Sequence, residues 1–291
     1  MSGDARRLAI LTAGEVEDLY GVPRFTAEDR HLYLDLSAAE RTAVDAAHTV
    51  ALAVHLALQL GYFKAKRQFF LYEPEAARED VQYILQQYFP THEVPALTPP
   101  SKPTRLAQQR RILQLCDYHL CDRAAKDELE HKAQRIARLS TQPITLLREL
   151  LQHLTHQRLV APGYRFFQEM IGRVLAGERT RLTGLLGHAL TPVVAQQCDA
   201  LLEADDRLDR LSTLKHEPKD FSYKELRQEV ARRQCFQPLY AFAQPFLRTT
   251  GLSNESIRYY ASLVHFYTLY KLQRMARPIT RLYLLCFASQ R

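Results

Sequence analysis

Three groups of side chains in this sequence are of a kind that could do chemistry. Cys116, His119, Cys121 and His131 resemble metal ligands. Structural zinc sites, however, present their ligands as two paired knuckles, and this spacing is irregular. The reading taken is that Cys116 lies on the apolar face of a helix, with Asp117, Tyr118 and His119 forming the turn after it. Asp205, Asp206 and Asp209 suggest the carboxylates of a two-metal nuclease, but such a site draws a residue from a distant element. Three aspartates in one acidic turn read instead as a solvated linker. Tyr259, Tyr260, Tyr267 and Tyr270, set among Arg258, Lys271, Arg274, Arg277 and Arg281, are the residue types of a tyrosine nucleophile in a cationic cradle. The same rings serve equally as core residues with hydroxyls reaching the rim. The glycines are isolated and build no phosphate-cradling loop, and there is neither a nucleophile elbow nor a Ser, His and Asp set. No cofactor and no metal are expected from these residues, and the tyrosine-nucleophile reading stays open at this point.

What remains is positive charge and its distribution. The net charge is +7, and it alternates along the chain: −5 over residues 1–100, +7 over 101–181, −3 over 182–218 and +8 over 219–291. Blocks with several Lys and Arg in excess are the electrostatic footprint of a polyanion partner, because each neutralised phosphate releases condensed counterions. A solvated helical surface gives the same tally and stays open at this point.

The elements that would present these charges are helical. Ten glycines in 291 residues, with Leu, Ala, Gln, Arg and Glu recurring, predict an all-α fold of two or three small bundles. Thr12 with Glu15, Ser37 with Glu40 and Ser222 with Glu225 have capping-box spacing and should each open a helix. Val44, Leu52, Leu56 and Leu60 recur at helical spacing from Ser37 to Gly61, and Val81, Leu85 and Phe89 repeat the pattern before Pro90. Pro90, Pro95, Pro99, Pro100 and Pro103 read as a linker. Beyond it Thr104 can cap a helix, a charged helix spans Asp122 to Arg138, and Thr141 with Pro143 can start another. The expected domains are 1–90, a Pro-rich linker at 91–103, 104–205, an acidic linker at 206–218, and 219–291.

Within the second domain, a helix bearing Leu146, Leu147, Leu150, Leu151 and Leu154 is followed by a short turn, Arg158 to Gly163. A helix bearing Phe166, Phe167, Met170, Ile171 and Val174 comes next. In a helix-turn-helix the second helix enters the major groove, so its outward residues are long and polar, as Tyr164, Arg165, Gln168, Glu169 and Arg173 are. Any αα-hairpin shares that outline. Five scattered cysteines make a poor disulfide framework and fit a reducing cytosol. The N-terminus lacks a secretory signal, and the apolar run Val44 to Leu60 is too polar to span a membrane.

With the order of segments set out, the chain resembles the N-terminal region of the Tn-three family of replicative transposases. The likeness begins with Leu11, Thr12, Glu15, Leu19 and Pro23, passes through Phe25, Thr26 and Asp29, and includes the apolar helix Val50 to Gly61 with Tyr62 and Phe63. Its strongest motif is Arg158, Val160, Pro162, Gly163 and Tyr164. Leu185, Leu190 and Thr191 follow, then Leu252 to Met275 and Tyr283 to Leu285. The charged helix Asp122 to Arg138 and the segment Lys64 to Phe70 do not follow the family's pattern.

The resemblance implies recognition of a transposon's terminal inverted repeats in double-stranded DNA. It implies no strand transfer, since the family's catalytic carboxylates belong to sequence not contained here. Two DNA-binding units joined by the Pro-rich linker would dock on successive turns of one duplex. Ser101, Lys102, Thr104, Arg105, Gln108 and Arg111 are the first set of candidate contacts, hydroxyls and amides suiting phosphate, Arg and Gln suiting base edges. Tyr164, Arg165, Gln168 and Arg173 form the second set, with Arg179 and Arg181 clamping the backbone. Further expected partners are the full-length transposase or a second copy of the chain, with no membrane, in the bacterial cytoplasm at the nucleoid. The alternatives are a free-standing regulator or repressor of transposition that occupies the same ends, and a helical protein-interaction scaffold.

Overall fold

The structure, a computed structural model, describes residues 8–92, 100–203, 210–215, 220 and 222–290. Helices α1 (Ala13–Tyr20), α2 (Ala27–Leu34) and α3 (Ala38–Asp45) each open on a capping box, formed by Thr12 with Glu15, Thr26 with Asp29 and Ser37 with Glu40. In each the hydroxyl accepts the amide three residues on while the carboxylate accepts the cap amide. The expected single helix from Ser37 to Gly61 is instead two. After α3 the chain turns, and Thr49 accepts from the Leu52 amide to start α4 (Val50–Lys66).

Gly61 does not end α4. A Cβ at this position would run into the Leu34 side chain and lie 3.2 Å from the Tyr33 carbonyl, so the missing side chain lets α2 lie close against α4. From Ala53 to Phe63 every residue of α4 is buried, which makes it the central helix of its bundle. Helix α5 (Arg78–Tyr88) packs beside it through Val81, Ile84 and Leu85. Asp80 at its start is 4% exposed, accepts from Arg30 Nε at 2.8 Å and from the Tyr62 hydroxyl at 2.9 Å, and so joins α2, α4 and α5.

Helix α6 (Lys102–Cys116) is capped by Ser101, where Thr104 was the expected cap; Thr104 supplies the amide that Ser101 Oγ accepts, and the two hydroxyls lie 2.9 Å apart. Pro103 sits in the first turn, where a missing N–H costs nothing. Ile112 and Leu113 of α6 are in the same core as α4, so the chain after the Pro-rich stretch returns to the first bundle. Pro95 and Pro99, and the aspartates Asp205, Asp206 and Asp209, lie outside the described residues.

Next come β1 (His119–Leu120), α7 (Arg123–Leu139), α8 (Pro143–His156), β2 (Leu159–Val160) and α9 (Tyr164–Ala189). The two short strands pair in parallel, His119 with Leu159 and Leu120 with Val160. Thr141 does not cap α8: its hydroxyl is buried without a hydrogen-bond partner. The fold is all-α apart from this two-stranded pairing. The remaining helices are α10 (Pro192–Ala200), α11 (Arg210–Lys215), α12 (Tyr223–Thr250), α13 (Asn254–Phe266), α14 (Leu269–Arg274) and α15 (Arg277–Gln290).

The chain divides into two compact units, one of Met1–Glu128 with Leu147–Glu169, the other of Leu129–Leu146 with Met170–Arg291. The second has its own core around α15, which is buried on every side from Leu282 to Ala288. Tyr283 stacks on Tyr260 of α13 at 5.5 Å, and Phe287 meets Phe236 of α12 edge-on at 5.5 Å. Of the four tyrosines weighed from sequence, Tyr260 is thus a core ring while Tyr270 is 64% exposed. Among the described residues, no helix is long and apolar enough to cross a membrane.

Candidate nucleic-acid interface

Helix α6 is the most uniformly cationic element of the first unit. Its fifteen residues include Lys102, Arg105, Arg110 and Arg111 and no carboxylate. Lys102, Arg110 and Arg111 are exposed, and among the described residues no acidic side chain pairs with any of the four. Ser101 and Thr104 spend their hydroxyls on the cap but keep them at the surface. Helical geometry sets Arg111 roughly 120° around the helix from Arg105, so the two do not share one face.

Arg105 turns inward. It lines a cleft of about 270 Å³ together with Lys102, His55, Phe69, Phe70 and Leu106, and its Nε is buried with no hydrogen-bond partner. Gln108, expected to read a base edge, is instead consumed within the fold. Its Oε1 takes the His55 Nδ1 proton at 2.6 Å and its Nε2 donates to the Leu52 carbonyl at 2.9 Å. Since Gln Oε1 can only accept, His55 is the tautomer with its proton on Nδ1, and burial pushes its imidazole below the ordinary pKa.

The start of α9 is occupied in a comparable way. The Tyr164 hydroxyl accepts from the amides of Ile10 and Leu11 at 3.0 and 2.9 Å, and Gln168 Nε2 donates to the Leu8 carbonyl at 2.9 Å. Both side chains hold the chain's own N-terminal segment against the helix that was expected to read the major groove. Arg165 pairs with Glu169 at 2.7 Å, one turn on, and remains 69% exposed. Before α9, Arg158 adopts a left-handed backbone (φ 51) and binds Asp117 at 2.5 Å beside the β1–β2 pairing, which closes the turn.

In the second unit, Arg173 pairs with Glu130 of α7 at 2.7 Å and is 61% exposed. Arg179 is exposed. Arg181 is not a free clamp. It binds Glu178 through two nitrogens at 2.6 and 2.8 Å and donates to the Thr250 carbonyl at 2.8 Å, satisfying the last turn of α12. Of the twelve residues singled out from sequence, Lys102, Arg111 and Arg179 are exposed cations that no described carboxylate pairs. Gln108, Tyr164, Gln168 and Arg181 have structural partners, and Arg105 faces the cleft.

Sequence reasoning passed over His55, Phe69 and Phe70. The available signal was the run Phe69, Phe70, Leu71 and Tyr72, too apolar for an ordinary exposed connection. Among the described residues, no group of three or more His, Cys, Asp or Glu side chains is placed to hold a metal.

A family model described as a domain of unknown function, DUF4158, matches residues 10–174. The chain belongs to the DUF4158 family. The DUF4158 stretch covers more than half of the 291 residues and runs from just before α1 into α9. It therefore contains α6 with its cleft and both sides of the Tyr164 contact, Ile10 being its first residue. No curated protein matches the chain.

Proposed function

We propose that this protein binds double-stranded DNA sequence-specifically, at the terminal inverted repeats of a transposon, as the end-recognition part of a Tn-three family transposase. In this reading the chain grips DNA without cutting or joining strands. The observation that carries the reading is α6: four cations, no carboxylate, and exposed Lys102, Arg110 and Arg111 that no described acidic group neutralises. In α9, by contrast, Arg165 and Arg181 each have a glutamate on the same helix. Lys102 stands at the helix start, where backbone amides also face outward, and with the unpaired Arg110 and Arg111 farther along α6 it suits phosphate oxygens. The resemblance in Leu11 to Pro23 and Arg158 to Tyr164 lies within the DUF4158 match and supplies the biological setting.

The primary role in this reading passes from the start of α9 to α6. Arg165 and Arg173 can still reach a duplex, since an exposed ion pair contributes at most about 1 kcal/mol and exchanges readily for phosphate. The test is a selection of bound sites from random duplexes by the full chain, followed by fluorescence anisotropy across a salt series. Affinity should fall linearly in the logarithm of salt concentration, and replacing Lys102 and Arg110 by Gln should reduce that slope by roughly one to two. No binding to long duplex DNA at low salt would sink the proposal, and magnesium-dependent nicking by the chain alone would sink its non-catalytic part.

A further inference from the structure

Two polar atoms of the first unit, Arg105 Nε and the Tyr20 hydroxyl, are buried without any hydrogen-bond partner. Such groups are rare in folded proteins, because each forfeits about 1–3 kcal/mol of solvation, and they commonly mark the place of a missing ligand or water. Here the residues that carry them line one connected space. Arg105 lines the 270 Å³ cleft, and the wider groove that Tyr20 lines shares His55, Phe69, Phe70, Leu71 and Arg105 with it.

The lining has a definite chemical polarity. At the α6 end stand Lys102 and Arg105, and among the described residues no carboxylate borders this cleft; the acidic Glu17 and Glu73 stand only along the wider groove. Its walls mix apolar and aromatic groups, Phe69, Phe70 and Leu106, the last 44% exposed, with the amides of Gln59, Gln108 and Gln109. His55, protonated on Nδ1 toward Gln108, keeps an unprotonated Nε2 that can only accept. A cationic end joined to walls of aromatic rings and amides suits a planar ring with polar edges that carries an anion. The volume falls just below the range of about 300–1,000 Å³ typical of whole small-molecule sites, and matches one ring system better than a larger ligand.

Resting on the DNA-binding reading, we infer that this cleft receives a single nucleotide turned out of the bound duplex, its base against Phe69, Phe70 and His55 and its phosphate held by Lys102 and Arg105. Extrusion breaks stacking and pairing at a cost of a few kcal/mol, and that cost is least where the nucleotide is already unpaired. The site thus discriminates by how readily a base leaves the helix as well as by sequence.

The experiment compares two otherwise identical duplexes, one fully paired and one with a single unpaired nucleotide, titrated with the 291-residue chain at fixed salt. The wild type should prefer the unpaired form by about tenfold or more. Leu106→Trp, at an exposed position, fills the cleft without changing its charge and should abolish the preference while changing paired-duplex affinity only a few-fold. Arg105→Met should weaken binding to both duplexes, and to the unpaired one more. Equal affinity of the wild type for the two duplexes overturns the cleft assignment and leaves the DNA-binding reading standing. A preference untouched by Leu106→Trp also overturns it, by placing the discrimination elsewhere. Absence of binding to either duplex overturns the DNA-binding reading and this inference with it.

Discussion

His55 is held neutral by its surroundings: burial removes the solvent that would stabilise its charge, and the nearby Arg105 guanidinium opposes a second cation, although the Gln108 contact acts in the other direction. Its folded pKa is below the ordinary histidine value, so as pH falls the unfolded chain takes up the proton first. The stability this contributes is complete above the ordinary value near 6.5 and is lost as pH drops through it toward the depressed folded value. Wild type should therefore lose more unfolding free energy between pH 7.5 and pH 5.5 than His55→Gln, as read from urea midpoints at the two pH values. Tyr164 permits a second test at this scale. Tyr164→Phe removes one acceptor from two backbone amides, and the expectation is a loss of about 1–2 kcal/mol with faster hydrogen exchange at Ile10 and Leu11. Sequence preference on DNA should not change, whereas a base-reading tyrosine would alter it. The residue types of both sites could be read from the sequence, and their partners could not. Gln108 and Gln168 look like base readers by type and position, yet a glutamine amide serves a carbonyl 56 or 160 positions away equally well.

The helices themselves were legible where local chemistry defines them. Thr12, Ser37 and Ser222 open helices as their hydroxyl and carboxylate spacing predicts, because a cap depends on neighbours three residues apart. Where long-range packing decides, pattern alone misled. The apolar period from Val44 to Leu60 continues through a break at Ala46 to Thr49, and Gly61 reads as a terminator although it is the point where α2 crosses α4. The β1–β2 pairing had no signature at all, since two-residue strands have no period. The junction of α2, α4 and α5 rests on Asp80, which answers both Arg30 and Tyr62. Asp80→Ala would leave the Arg30 guanidinium, itself only 17% exposed, without its buried partner, and should destabilise the first unit by about 3 kcal/mol. The check is a urea unfolding curve with the slope unchanged; a loss under 1 kcal/mol would show that Glu79, 2.6 Å from Arg30, substitutes for it.

Over the whole molecule, cations that count alike in the basic blocks of the sequence differ in how they are paired. Cations of α6 have no described carboxylate partner, while Arg232 and Arg233 share Glu229 and Arg281 binds Asp199 through two nitrogens. Charge counted along a sequence does not distinguish these cases, because neutralisation depends on side chains brought together by folding. The Tyr164 contact also bears on the order of events during synthesis. A hydroxyl 153 and 154 positions beyond the amides it serves reaches them only after all the intervening chain has been made. Until then Leu8 to Leu11 have no docking place, so nascent chains stalled short of Tyr164 should be clipped by protease ahead of Thr12 while those extended well beyond Gln168 resist. Leu8 to Leu11 are thus made well before the helix that holds them and, within their unit, are among the last to settle.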